Sequence, residues 1–150
     1  MFHVALYEPE IPANTGNVGR LCVATGCTLH LIGPLGFSLD ERAVRRAGVD
    51  FWHLVPLVRH ETLAEFEEAL GVERLFVFST HAETSYASPR YRAGDAFLFG
   101  CESRGLPDEV RARHAARLVR LPMPGPGRSL NLSNAAAVAV YEGLRQVNGW

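Results

Sequence analysis

Ala96-Phe97-Leu98-Phe99-Gly100-Cys101-Glu102-Ser103-Arg104-Gly105-Leu106-Pro107-Asp108-Glu109 reads as a buried strand, a glycine-bounded polar turn and the first turn of a helix. Four consecutive apolar residues suit a strand covered on both faces. Pro107 has the fixed φ of a helix start, and the two acids behind it suit the positive end of a helix. The same unit recurs outward in both directions. Apolar runs predict strands at His3 to Leu6, Thr28 to Ile32, Leu54 to Leu57, Leu75 to Ser79 and Arg117 to Leu121. Helices are predicted between them. The first should be capped by Asn14 or Thr15 and end at Gly26, a residue that tolerates the left-handed conformation. Ser38 with Glu41 and Thr62 with Glu65 have the spacing of capping boxes, with Gly48 and Gly71 as stops. The last helix is predicted from Leu132 to Gln146. Strand and helix alternating in this way imply an α/β fold, a mostly parallel sheet flanked by helices.

Ligands of such sheets bind outside the carboxyl ends of the strands. Three polar, Gly/Pro-rich segments are expected there: Glu8 to Arg20, Gly100 to Pro107 and Pro122 to Asn134. The familiar chemistries of the class do not fit them. The turn after the first strand, Glu8-Pro9-Glu10-Ile11-Pro12-Ala13-Asn14-Thr15-Gly16, lacks the G-x-G-x-x-G dinucleotide fingerprint, and a phosphate loop needs a lysine that this chain does not contain. Ser103, Ser129 and Ser133 could be nucleophiles with His114 as base, but there is no G-x-S-x-G elbow to expose them.

A length of 150 residues with 47% hydrophobic content fits one globular domain. The longest apolar run, Ala135 to Tyr141, is far short of the roughly 20 residues of a membrane span. No signal segment opens the chain, so a soluble cytoplasmic protein is expected. The odd count of Cys22, Cys27 and Cys101 argues for reduced thiols, and their spacing matches no zinc site, so no metal is expected. Net charge is −1, yet all 15 basic residues are arginine. Arg42, Arg45 and Arg46 form one cluster and Arg111, Arg113, Arg117 and Arg120 another. Either could be a solvated face or a grip on an anion, for which arginine is the better bidentate ligand.

Three stretches in order, Asn14 to Leu21, Phe99 to Pro107 and Arg128 to Ala135, resemble the motifs of the SPOUT superfamily of RNA 2'-O-methyltransferases. The opening Leu6-Tyr7-Glu8-Pro9-Glu10-Ile11-Pro12 is most similar to the TrmL (YibK) type, which modifies the tRNA wobble nucleotide. The likeness spans Val4 to about Gln146. It implies a single SPOUT domain with a C-terminal deep trefoil knot, an exception to the rule that chains do not thread loops. It also implies S-adenosyl-L-methionine (AdoMet) as methyl donor, with S-adenosyl-L-homocysteine (AdoHcy) as product. Activity on another tRNA position or on ribosomal RNA is the alternative, and a non-catalytic RNA binder on the same fold a more distant one.

Carried over by motif position, Phe78, Gly100, Leu121 and Ser129 meet the cofactor, with Met123, Leu130 and Leu132 as further walls. Gly100, Gly105, Gly125 and Gly127 would allow close backbone approach. Arg20 is implied as the catalytic arginine. Because a neutral guanidine is costly at pH 7, orienting the ribose hydroxyl and its phosphate is the more economical role. Asn14 could hydrogen-bond that arginine or cap its helix. Glu102 could hold an arginine or a backbone turn. Ser129 and Asn131 could pin the third loop and the ribose, with Ser133 and Asn134 as alternative helix-start residues. The small-residue face of the last helix, together with the resemblance, predicts a homodimer in which Arg20 reaches the partner's cofactor. With no appended RNA-binding domain expected, the anticodon loop would be gripped by Arg42, Arg45, Arg46, Arg104 and Arg128, and Tyr141 would contact a base or ribose.

Overall fold

The computed structural model describes residues 1–40, 42, 44, 46 and 49–150. Seven strands form one sheet: β1 (His3–Tyr7), β2 (Thr28–Ile32), β3 (Leu57–His60), β4 (Leu75–Phe78), β5 (Thr84–Ser85), β6 (Ala96–Phe99) and β7 (Leu118–Arg120). Their spatial order is β3-β2-β1-β6-β4-β7-β5, and every pairing between them is parallel. Side chains alternate across a strand, so the apolar runs split between two cores. Val4, Leu6, Phe76, Phe78, Phe97 and Phe99 face one side, where they meet helices α1 (Pro12–Thr25) and α4 (Leu132–Asn148). Ala5, Leu75, Val77, Ala96 and Leu98 face the other, under α2 (Leu63–Leu70) and α3 (Asp108–Arg113). β4 and β6 are buried at all four positions, as strands covered on both faces must be.

Two element starts differ from the sequence expectation. The strand predicted at Leu54 to Leu57 begins only at Leu57, because a 3-10 turn takes up Val49–Leu54 and Pro56 has no N–H to donate. Its carbonyl still accepts from Leu29 N at 2.8 Å, where pairing with β2 starts. Helix α1 begins at Pro12 rather than at Asn14 or Thr15, with Ile11 as the N-cap and no side-chain cap of its own. Helix α4 is capped by Asn131, whose side chain accepts from Ser133 N and Asn134 N, so Ser133 and Asn134 are its first turn and not its cap. The short β5 was not expected at all; it is two polar residues recruited by β7.

Other punctuation lies where the residue types put it. Gly26 ends α1 at φ 71°, and Thr62 caps α2 by accepting from Glu65 N at 3.1 Å. The Glu65 carboxylate reaches back to Glu61 N at 2.9 Å, one residue earlier than a capping box requires. Ser38 accepts from Asp40 N at 3.2 Å, while Glu41 and Gly48 lie outside the described residues. Cys22, Cys27 and Cys101 are buried free thiols. No helix among the described residues is long and apolar enough to cross a membrane.

One feature of the sheet has no counterpart in the sequence pattern. His3, His30 and His60, on β1, β2 and β3, form a ladder with His3 Nδ1 to His30 Nε2 and His30 Nδ1 to His60 Nε2 both at 2.9 Å. Phe66 lies edge-on to His30 and His60. Burial, followed by the neighbouring His3 and His60, pushes the His30 pKa down to about 4. The unfolded chain therefore takes up a proton near pH 6.5 that the folded chain refuses until about pH 4. Stability from this group is full above pH 6.5 and is lost as pH falls toward 4, with a slope of up to about 1.4 kcal/mol per pH unit. Urea unfolding at pH 7, 6 and 5 should show this decline, and His30→Gln should flatten it; an unchanged slope in the variant would contradict the assignment.

Candidate active site

Four loops at the carboxyl ends of β1, β4, β6 and β7 enclose a cavity of about 500 Å³. Ile11 and Asn14 enter from the start of α1, Ser79, Thr80 and His81 from the loop after β4, and Gly100 to Leu106 from the turn after β6. Leu121, Met123 and Ser129 to Leu132 close it from the segment after β7. The three segments picked out in the sequence are thus brought together from distant parts of the chain.

Asn14 joins them. Its amide donates to Glu102 Oε2 at 3.2 Å and its carbonyl oxygen accepts from Asn131 Nδ2 at 3.0 Å, so one side chain ties positions 88 and 117 residues away. It is 5% exposed, and both its hydrogen-bonding ends are used. Glu102 also accepts from Glu10 N and Ile11 N, each at 2.8 Å. Of the two roles open to Glu102, holding a backbone turn is the one realised: three donors occupy the carboxylate, two of them N–H groups ahead of α1. This also explains why α1 needs no local cap, since a loop about 90 residues away does comparable work. Asn131 spends its oxygen on Ser133 N at 2.9 Å, Ser133 Oγ at 2.6 Å and Asn134 N at 3.2 Å, and its amide on Asn14. Asn14, Glu102 and Asn131 are therefore a frame that holds the cavity, while Ser129 and the half-exposed Leu130 line it without a hydrogen bond to a described residue.

The turn after β6 folds back on itself. Cys101 and Gly105 form an antiparallel bridge, with Gly105 N donating to Cys101 O at 2.9 Å. The approach is so close that a Cβ on Gly100 would lie 2.3 Å from Gly105 C and 2.5 Å from Leu106 N. Gly125 and Gly127, expected to serve the same purpose, neither line the cavity nor crowd any neighbour. Arg111, on α3, lines the far wall and donates to Leu106 O at 2.9 Å.

All six residues expected to meet the cofactor, Phe78, Gly100, Leu121, Met123, Ser129 and Leu130, line this one cavity. Arg20 does not. It is exposed on α1, about 9 Å along the axis from Asn14 and roughly 120° around it, and it has no hydrogen bond or ion pair to a described residue. Arg104 lines the cavity mouth. Arg42, Arg46, Arg128 and Tyr141 are exposed away from the lining, and Arg45 lies outside the described residues. Of the second arginine cluster, Arg113 pairs with Glu67 at 2.5 Å and Arg111 with Asp108. Sequence reasoning missed Ser79 to His81. They follow β4, which lies between β6 and β7, so the carboxyl-end rule would have found them had the strand order been known.

A parallel sheet without a dinucleotide fingerprint, with three ordered motifs framing a cavity at its carboxyl edge, is the arrangement that the resemblance to SPOUT methyltransferases implied. The chain belongs to the SpoU rRNA Methylase family, whose model matches residues 1–141. It is 45% identical to the tRNA (cytidine(34)-2'-O)-methyltransferase of Escherichia coli K12, over 98% of this chain and 94% of that one. A solved structure described as giving insights into 2-OH methylation of C/U34 on tRNA superposes with a TM-score of 0.96 at 52% identity, covering 100% of this chain and 98% of that one. The SpoU methyltransferase AviRb of Streptomyces viridochromogenes, solved with AdoMet, superposes at 0.83 with 26% identity, over 96% of this chain and 59% of that one.

Proposed function

We propose that this chain transfers the methyl group of AdoMet to the ribose 2'-hydroxyl of the tRNA wobble nucleotide, cytidine 34 or a modified uridine 34, releasing AdoHcy. The observation that carries the reading is the Asn14 bridge, which closes three separate motifs around one cavity. The cavity's about 500 Å³ is within the range of cofactor sites. Phe78, Leu121, Met123 and Leu130 offer apolar surface, and the glycine turn from Gly100 to Gly105 brings main chain to the cavity wall, where a base could meet it. Near-full-length likeness to enzymes named for cytidine 34 supports the wobble position.

When bound, AdoMet supplies an electrophilic methyl on a sulfonium. The protein's own contribution is alignment. Gly100, Leu121 and Leu130 fix where the donor can lie, the Asn14–Glu102–Asn131 frame holds these loops at fixed spacing, and Ser129 is free to meet the ribose. Holding nucleophile, carbon and leaving sulfur in line is worth several orders of magnitude in rate. Arg20 would orient the hydroxyl and its phosphate.

Because Arg20 lies outside the cavity of its own subunit, this reading includes a homodimer in which it serves the partner's site. The exposed Val138 and Tyr141 on α4, 43% and 50% exposed, supply apolar surface for such a contact. Arg42, Arg45, Arg46, Arg104 and Arg128 would meet phosphates of the anticodon loop, in the cytoplasm. The segment 86–95 is tied to α4 by Tyr91 N to Gln146 Oε1 at 2.9 Å and Gln146 Nε2 to Pro89 O at 3.2 Å, and the deep trefoil knot implied by the resemblance is part of the same reading.

Labelled AdoMet incubated with unmodified total tRNA and with ribosomal RNA tests the reading. Label should enter tRNA at an alkali-resistant linkage, and incorporation into ribosomal RNA alone would overturn the tRNA assignment.

A further inference from the structure

The frame around Asn14 leaves one acid unexplained. Glu102 reaches from the turn after β6 to the backbone of Glu10 and Ile11; Glu10 reaches the opposite way. Its Oε1 accepts from Ser103 N at 2.9 Å and Ser103 Oγ at 2.7 Å. Each loop thus sends one carboxylate into the backbone of the other, and four hydrogen bonds of 2.7 to 2.9 Å cross between them. The bonds to Ser103 hold the Glu10 carboxyl below the usual carboxylate range, with smaller help from Cys101 and Arg104. Adjacent residues of the turn thus carry both arms: Glu102 supplies one carboxylate and Ser103 holds the other.

The two arms are not equivalent. Glu102 organises the start of α1, which carries Asn14 and Arg20. Glu10 organises the turn itself, which from Gly100 to Leu106 is wall of the cavity. We propose that Glu10 is a positioning residue for the cofactor wall: its carboxylate, gripped by Ser103, is the mould around which the Cys101–Gly105 turn closes. This rests on the AdoMet reading given above and adds to it a residue that touches no ligand. Ser103, a candidate nucleophile by sequence, is assigned here to the same clasp, its hydroxyl committed to Glu10.

The proposal makes a non-additive prediction, because Ser103 Oγ and Glu10 act through one contact. AdoHcy binding by calorimetry, with AdoMet KM and kcat determined separately, is measured for Glu10→Ala, Glu10→Gln, Ser103→Ala and the Glu10→Ala/Ser103→Ala double variant, with Tm recorded for each. Loss of charge-assisted bonds at Glu10 should weaken AdoHcy binding by about tenfold, and loss of the serine hydroxyl by about threefold. The double variant should match Glu10→Ala within about twofold. Glu10→Gln, which keeps an acceptor oxygen, should recover part of the affinity. The loss should fall mainly on AdoMet KM, not kcat, and should persist far below Tm, which general weakening of the fold would not produce. Glu10→Ala binding AdoHcy within twofold of wild type, or a double variant showing the product of the single losses, would overturn the clasp. Wild-type protein that bound no AdoHcy would overturn the functional reading and the clasp with it.

Discussion

Arg20→Ala should lower kcat/KM for methyl transfer by about a hundred- to a thousandfold, the range seen when one preorganised group at a reacting centre is removed, while AdoHcy binding changes little. Arg20 has no hydrogen-bond or ion-pair partner among the described residues and does not line the cavity of its own chain, so its removal breaks no hydrogen bond or ion pair among them. The same geometry predicts how the defect is repaired. If Arg20 acts on the neighbouring subunit, co-expression of Arg20→Ala with a variant whose cofactor cavity is blocked places one complete site in each mixed dimer. Random pairing of equal amounts makes about half the dimers mixed, each with one of its two sites intact, so about a quarter of wild-type turnover should return. Action within one subunit predicts no recovery, because neither chain then holds both halves. Normal turnover by Arg20→Ala alone would remove the role altogether.

Gly100→Ala is the blocking variant, and it should weaken AdoHcy binding by about a hundredfold or more. The added Cβ would sit 2.3 Å from Gly105 C and 2.7 Å from Gly105 Cα, both backbone atoms that no side-chain rotation can clear. The turn must shift as a body, and the wall it forms shifts with it. Overpacking of this kind costs about 1 to 3 kcal/mol of stability, so the variant should fold with a lowered Tm. Calorimetric titration checks the binding loss, and affinity within threefold of wild type would show that the turn is not part of the cofactor wall.

The fold was legible wherever the controlling interaction is local. Leu75 to Phe78 and Ala96 to Phe99 announce strands buried on both faces because every side chain is apolar, and Gly26 and Pro107 mark helix ends through their own backbone preferences, Thr62 through its side-chain oxygen. It was illegible where a distant residue decides. The start of α1 looked as if it needed Asn14 as a cap because nothing in the local sequence reveals Glu102 reaching Glu10 and Ile11; relieved of capping, Asn14 becomes the bridge. The cavity shows the same division. Gly100 and Leu130 sit in motifs that can be recognised along the chain, whereas Ser79 to His81 join the site only because β4 lies between β6 and β7. The histidine ladder depends on β1, β2 and β3 lying side by side in register, and spacings of 27 and 30 residues give no periodic signal.

The account stands on delivery of one sugar oxygen to a methyl donor held by the Gly100 turn. Two otherwise identical unmodified tRNAs, one with a ribose and one with a 2'-deoxyribose at the wobble nucleotide, test that delivery directly. With labelled AdoMet, the ribose form should take up one methyl per molecule at position 34 and the deoxy form none. Equal labelling of both would contradict it.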